Sequence, residues 1–179
     1  MTSMTNPIVR VVFFCLCCTL LPSADAQTTP VPKLEGESFS GRKVVLPDDA
    51  SGKVAVLVFG FTKASKGQTS DWARKLSADL RARAEVYQLP VLEDVPRFIR
   101  GMVISSIKKG VPENERDHFV PVLQGEAELK KFVNYKESDD AYLAVLDRSG
   151  KVVQQMHGAL TDSAYSSLRT QLEASLNQK

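Results

Sequence analysis

The residue types that perform thiol or metal chemistry are scarce in this sequence and far apart. All three cysteines fall within one uncharged run near the N-terminus: Cys15, Cys17 and Cys18. The only histidines are His118 and His157, too few for an all-histidine metal site. Glu115 and His118 would share a helix face as a metal-binding pair, but a solvated turn is the more ordinary interpretation. We predict no metal site and no cofactor.

The first residues have the pattern of an export signal. Arg10 precedes an uncharged run, Val11 to Leu21, and the small-residue pattern Ala24-Asp25-Ala26 follows it. The run is shorter than the about 20 residues that span a bilayer. We predict cleavage after Ala26, which leaves a cysteine-free mature chain without a transmembrane span. Export to the periplasm is favoured over secretion to the medium, and an uncleaved membrane anchor is the alternative.

The remaining chain is long enough for one ordinary domain with its own core. Residues 27–34 contain two prolines, which block helix formation and predict an extended linker before a domain at 35–179. The formal net charge is +2, with both signs interspersed. That balance argues against nucleic acid or an anionic membrane as the main partner.

A strand–loop–helix–strand unit occupies the first half of the domain. Val54 to Phe59 is a continuous apolar run, typical of a strand covered on both faces. After a loop, Thr69 or Ser70 would cap a helix whose apolar stripe includes Trp72, and Val86 to Val91 is the next strand. The unit predicts parallel strands joined by a right-handed crossover.

The second half adds another helix, a hairpin and a final helix. Pro96 to Lys109 is amphipathic, and we interpret its apolar face, Phe98 to Ile107, as core rather than as an exposed groove for a partner. Tyr142 to Leu146 predicts a strand, which an Asp147–Gly150 turn joins to an antiparallel strand at 151–156. Thr161 would cap the last helix.

Three segments together resemble the exported thioredoxin and peroxiredoxin-like group: Gly52 to Phe59 as the first core strand, Thr62 to Leu76 as the active-site loop and helix, and Tyr142 to Met156 as the final hairpin. The resemblance covers residues 35 to 178. It implies an α/β fold, namely a three-layer α/β/α sandwich around a central mixed sheet.

The sequence departs from that group where the group performs its chemistry. The group carries a C-x-x-C pair, or one peroxidatic cysteine, at the start of the helix, where the thiol pKa is lowered. The matching positions here are Ser65 and Gln68, and serine without an adjacent base is a poor nucleophile. Ala141 stands where the group has a cis-proline. A cis bond before alanine costs about 2.5–4 kcal/mol, so we expect a trans bond.

A narrower resemblance covers the middle third of the chain. Val86 to Val91, Phe98 to Lys109 and Pro112-Glu113-Asn114 are similar to the family of the mitochondrial ATP synthase assembly factor and its bacterial relatives. That resemblance implies an assembly or chaperone role.

We hypothesise a redox-inactive exported domain that binds another exported or membrane protein. The predicted contact residues are Lys63, Ser65, Lys66, Gln68 and Ala141. Three alternatives stay open. The first is an enzyme with non-thiol chemistry, whose metal or small-ligand site lies near Glu115, His118 or the Lys63–Lys66 loop. The second is an oxidoreductase relative with residual activity, and the third is a structural envelope protein.

Overall fold

The computed structural model describes residues 30–177. The predicted signal at 1–26 and linker residues 27–29 lie outside the described residues. Within residues 30–177 the chain forms six strands and four α-helices, in the order β1 (Leu34–Glu37), β2 (Lys43–Leu46), β3 (Val54–Gly60), α1 (Lys66–Leu80), β4 (Ala84–Pro90), α2 (Arg97–Lys109), α3 (Glu126–Phe132), β5 (Tyr142–Leu146), β6 (Val152–His157) and α4 (Asp162–Asn177).

The main sheet has the strand order β4-β3-β5-β6 and is built around β3. β3 pairs in parallel with β4 and antiparallel with β5, so the sheet is mixed as predicted. β5 and β6 form the predicted hairpin around Gly150, whose φ of +80° is a conformation that glycine adopts readily. The β3–α1–β4 unit is the predicted crossover between parallel strands.

Both faces of β3 are covered, because its run of apolar residues places apolar side chains on both faces of the sheet. Alternate side chains enter two separate cores: Ala55, Leu57 and Phe59 in one, and Val54, Val56 and Val58 in the other. α1 and α4 cover the second core, and the β1–β2 hairpin and α3 cover the first. The architecture is therefore the predicted α/β/α sandwich.

The first helix begins at Lys66, three residues before the predicted cap at Thr69. The Thr62 hydroxyl accepts the backbone N–H groups of Ala64 at 3.1 Å and of Ser65 at 3.2 Å. These bonds fold the chain into a turn that leads directly into the helix. Thr69 is already inside the first turn, where its hydroxyl donates to the Lys66 carbonyl oxygen at 3.1 Å.

The prediction that α2 is a core helix is wrong. No residue of α2 is buried, and Phe98 is 88% exposed and Met102 74% exposed. The reason is topological, since α1 and α4 already cover one face of the sheet and α3 and the hairpin the other. Its apolar spacing indicated a helix correctly but not what the helix packs against.

Two further segments carry strand pairing that extends the predicted elements. β1 pairs antiparallel with β2 and begins at Leu34, the last residue of the predicted linker, so the folded domain starts one residue before the predicted boundary. Beyond β4, Phe119 and Val122 bridge in parallel to Gln88 and Val91. Among residues 30–177, no helix combines the length and apolarity required to cross a bilayer.

Trp72 tests how strongly α1 is joined to the sheet. Its side chain is fully buried, and its Nε1 donates to the Gly158 carbonyl oxygen at 2.9 Å. We expect Trp72→Phe to lower the free energy of unfolding by about 1–3 kcal/mol, because it leaves that carbonyl without its donor and creates a void. Urea unfolding followed by circular dichroism measures the loss.

Tyr165→Phe is the matched control. It also removes a single donor, but the bond from Tyr165 to Asp79 is exposed. The control should therefore cost clearly less than Trp72→Phe. Equal losses for the two variants would show that the buried bond at Trp72 has no special role.

Candidate functional site

Two loops and one strand end meet where β3 ends and α1 begins. We call this region, residues 61–68, 134–142 and 157–158, the loop junction. The Thr62 hydroxyl donates to the Ser138 carbonyl oxygen at 2.7 Å, which joins the first loop to the second. Gly158 N donates to the Ala141 carbonyl oxygen at 2.9 Å, which joins the second loop to the end of β6. The junction is therefore one connected surface.

Ser65 lies inside the junction rather than on its surface. It is fully buried, and its hydroxyl donates to the Thr62 carbonyl oxygen at 2.9 Å. Gly60 permits this packing, because a Cβ at that position would lie 3.0 Å from the Ser65 Oγ. The contact found for the hydroxyl is a carbonyl, which cannot accept a proton as a general base would. Ser65 is thus placed as a structural residue.

Gln68 and Ala141 are in direct contact. The Gln68 Oε1 accepts the backbone N–H of Ala141 at 3.2 Å, so a side chain of α1 satisfies the first amide before β5. The peptide bond before Ala141 is trans, as predicted. Ala141 is fully buried. The structure thus brings together the positions aligned with the second cysteine and the cis-proline, and a hydrogen bond joins them.

The two predicted lysines are the outward part of the site. Lys63 and Lys66 are both exposed, and within residues 30–177 neither ammonium group forms a salt bridge. They lie beside the first turn of α1, whose free N–H groups add a partial positive charge. Of the five predicted contact residues, these two and the half-buried Gln68 can face a partner.

The loop junction contains an aromatic cluster that was not predicted from the sequence. Phe61 packs edge-on against Tyr135 at 5.1 Å and against Tyr142 at 5.5 Å between ring centroids. Tyr142 also stacks on His157 at 5.4 Å, and the His157 Nδ1 lies 2.6 Å from the Asp140 Oδ2. A sequence signal existed, because Phe61 follows β3 and Tyr142 begins the neighbouring antiparallel strand. These ring contacts join the two loops to each other and to the end of β6.

Glu115 and His118, the residues of the alternative metal site, have different partners in the structure. Glu115 Oε2 accepts from Gln88 Nε2 at 3.2 Å, whereas His118 Nε2 pairs with the Glu85 carboxylate, which also binds Lys53. In the described part of the chain, no three His, Cys, Asp or Glu residues form a group that could hold a metal ion.

Comparison with solved structures supplies the last observation on this scaffold. BsSco, of the Sco family of cytochrome c oxidase assembly proteins, superposes with a TM-score of 0.59 at 14% identity, over 86% of this chain and 96% of its own. A Chlorobium tepidum protein assigned as the thiol:disulfide interchange protein DsbE also gives 0.59, at 19% identity, over 84% and 97%. The chain has a thioredoxin-like fold.

A third thioredoxin-like structure is described as an exposed lipoprotein. It is the thioredoxin Etrx1 from Streptococcus pneumoniae TIGR4, with a TM-score of 0.56 and 16% identity, over 79% of this chain and 99% of its own. No family model matches the sequence, and no curated protein matches it either. None of the structures named here is an ATP synthase assembly factor, so that narrower resemblance stays a prediction.

Gln68 offers a direct test of the junction. Gln68→Met keeps the side-chain length but removes the oxygen that accepts the Ala141 N–H. We expect it to lower the free energy of unfolding by about 1 kcal/mol. Gln68→Glu keeps an acceptor oxygen and should cost less. Thermal and urea unfolding measure both, and a Glu variant as unstable as the Met variant would contradict the role of this bond.

The Glu85 carboxylate predicts a pH dependence of stability. Its partial burial would raise its pKa, but the hydrogen bond from Lys53 and the charge of His118 hold the pKa below its ordinary value. A carboxyl with a lowered folded-state pKa stabilises the fold above its unfolded pKa, and that contribution disappears as the pH falls through the folded value. We expect Glu85→Gln to flatten the loss of stability between about pH 5 and pH 3.

The matched control is Glu113→Gln, whose carboxylate is 89% exposed beside Arg116. Urea unfolding at several acidic pH values should show the flattening for Glu85→Gln only. The same slope in both variants and the parent chain would contradict the assignment.

Proposed function

We propose that this protein is a redox-inactive, exported thioredoxin-like domain that binds another exported or membrane protein through the outer face of the loop junction. The observation that carries this proposal is the hydrogen bond from Ala141 N to Gln68. It joins the two positions that the resemblance aligns with the second cysteine and the cis-proline, and it gives them a structural role. The described chain holds no cysteine that could restore the lost chemistry.

The outer face of the junction has the properties of a binding surface. Its exposed side chains carry both signs of charge: Lys63, Lys66, Lys136, Glu137 and Asp139. The loops that present them are held by hydrogen bonds and by the aromatic cluster. A surface that is already ordered loses less conformational entropy on binding, which favours affinity.

The character of the partner follows from the surface and from the proteins of similar fold. Charges of mixed sign suit a protein surface better than a polyanion such as nucleic acid. BsSco is described as a member of a family of assembly proteins, and Etrx1 as an exposed lipoprotein. These descriptions, with the predicted export signal, support an assembly or chaperone role outside the cytoplasm.

Site-specific photo-cross-linking in the exporting cell tests the proposal. A photoreactive residue at Lys66 or Ser138 lies on the outer face of the junction, whereas one at Ser149 lies in the β5–β6 turn at the opposite end of the sheet. We expect the first two positions to give the same discrete protein adduct and Ser149 to give none. Lys63→Glu with Lys66→Glu should remove the adduct, because the complementary charge is reversed.

The matched charge control is Lys43→Glu with Lys151→Glu, which changes the net charge equally elsewhere on the domain. It should leave the adduct in place. Identical products from both ends of the sheet, or an adduct indifferent to the Lys63 and Lys66 changes, would contradict the proposal. So would disulfide reductase or peroxidase activity of the purified protein that survives alkylation of all its thiols.

A further inference from the structure

Helix α2 lies outside both hydrophobic cores. No side chain between Arg97 and Lys109 belongs to either core cluster or packs against one as a partly buried neighbour. Phe98 and Met102 are the exposed large hydrophobic residues of the described chain, at 88% and 74%. A 13-residue amphipathic helix with no buried residue has an apolar surface that the domain itself leaves uncovered.

The helix has two distinct sides. Ile99, Val103 and Ile107, spaced four residues apart, are half-buried and form the side nearer the domain. Phe98 and Met102 are one turn apart on the outward side, so they form a small ridge. Because the ridge adjoins the half-buried row, the apolar band of the helix continues from the domain surface outward.

The charge of α2 is of one sign. It contains four basic residues and no acidic one: Arg97, Arg100, Lys108 and Lys109. The Arg100 guanidinium donates to the carbonyl oxygens of Glu93 at 2.7 Å and Val95 at 2.9 Å, so it holds the loop before the helix. The other three are exposed, and within residues 30–177 they form no salt bridge.

The carboxylates that flank this helix in sequence have contacts outside it. Glu93 Oε2 accepts the backbone N–H of Glu126, the charge of Asp94 acts on Lys130, and Glu113 pairs with Arg116. The basic charge of α2 exceeds the formal net charge of the whole chain, which is +2. That overall balance argued against an anionic membrane only because it averages over this helix.

We propose that α2 docks the domain on the surface of an anionic lipid bilayer. Phe98 and Met102 enter the boundary between headgroups and acyl chains, and Arg97, Lys108 and Lys109 bind the lipid phosphates. The helix lies in the plane of the bilayer surface, because its 13 residues are too few to cross a bilayer. A helix that crosses needs about 20 residues. The residues of this site are different from those of the loop junction, so either proposal can fail alone.

Charge and shape favour a bilayer over other occupants. Two copies of the domain meeting through α2 would bring like charges together, which opposes association. A lone exposed helix is convex and offers no groove for a peptide. A bilayer surface accepts a convex apolar ridge and also supplies a dense array of phosphates.

Vesicle co-sedimentation tests this proposal. The same chain is used for every variant, so any contribution of the N-terminal apolar run is common to all. Phosphatidylcholine vesicles are compared with vesicles that also contain phosphatidylglycerol. We expect stronger binding to the anionic vesicles, weakened about tenfold or more by Lys108→Glu with Lys109→Glu, and weakened also by Phe98→Ser. Lys43→Glu with Lys151→Glu, an equal charge change elsewhere, should bind like the parent chain.

Fluorescence gives an independent readout of insertion. Trp72 is the single tryptophan and is fully buried, so its emission is a constant background. The Phe98→Trp variant should shift its emission to the blue on anionic vesicles and not on neutral ones. Equal binding to both vesicle types, equal binding by the Lys108 and Lys109 variant, or an unshifted spectrum of the Phe98→Trp variant would overturn the proposal. A dimer in sedimentation velocity that Phe98→Ser dissociates would also overturn it, because α2 would then be a self-association surface.

Discussion

The burial of β3 on both faces is the constraint on which the rest of the structure depends. Six consecutive apolar residues from Val54 to Phe59 cannot lie at a sheet surface, so a layer must cover each side. α1 and α4 supply one layer, and the hairpin with α3 supplies the other. The same arrangement fixes where β3 ends, and therefore where the chain must turn into α1. The loop junction exists because this strand, which is covered on both faces, stops there.

At that turn, Ser65 and Gln68 pack and form hydrogen bonds at the positions where the resemblance implies reactive cysteines. A helix N-terminus stabilises an anion, which is why reactive thiols are found at such positions. Here the first position is a buried hydroxyl that donates to a carbonyl, and the second is an amide oxygen that accepts an N–H. Both groups have satisfied bonds, so nothing in the pair needs a ligand. What stays accessible is the charged rim above them, which is the surface that the proposed function uses.

The elements that depend on local sequence were predicted correctly, whereas those that depend on tertiary contacts were not. The β3–α1–β4 crossover, the β5–β6 turn and the Thr161 cap follow from apolar runs, turn residues and a hydroxyl, all of which act locally. The start of α1 could not be placed, because it depends on the Thr62 side chain folding back. The burial of α2 was predicted wrongly, because the spacing of its apolar residues is the same whether they face a core or water. The Phe61–Tyr135–Tyr142 cluster depends on strand register, which one sequence does not display.

Gly60, Ser65 and Thr69 pack together so closely that a Cβ at position 60 would lie 3.0 Å from the side chains of both other residues. A sulfur atom at position 65 is larger than the oxygen it would replace, and it would enter a space bounded by Gly60 and Thr69. Any thiolate there would face the Thr62 carbonyl oxygen, whose partial negative charge opposes ionisation. A second cysteine at position 68 would also remove the acceptor for Ala141 N. A thiol pair at positions 65 and 68 would thus have to displace packing and a hydrogen bond that this structure already uses.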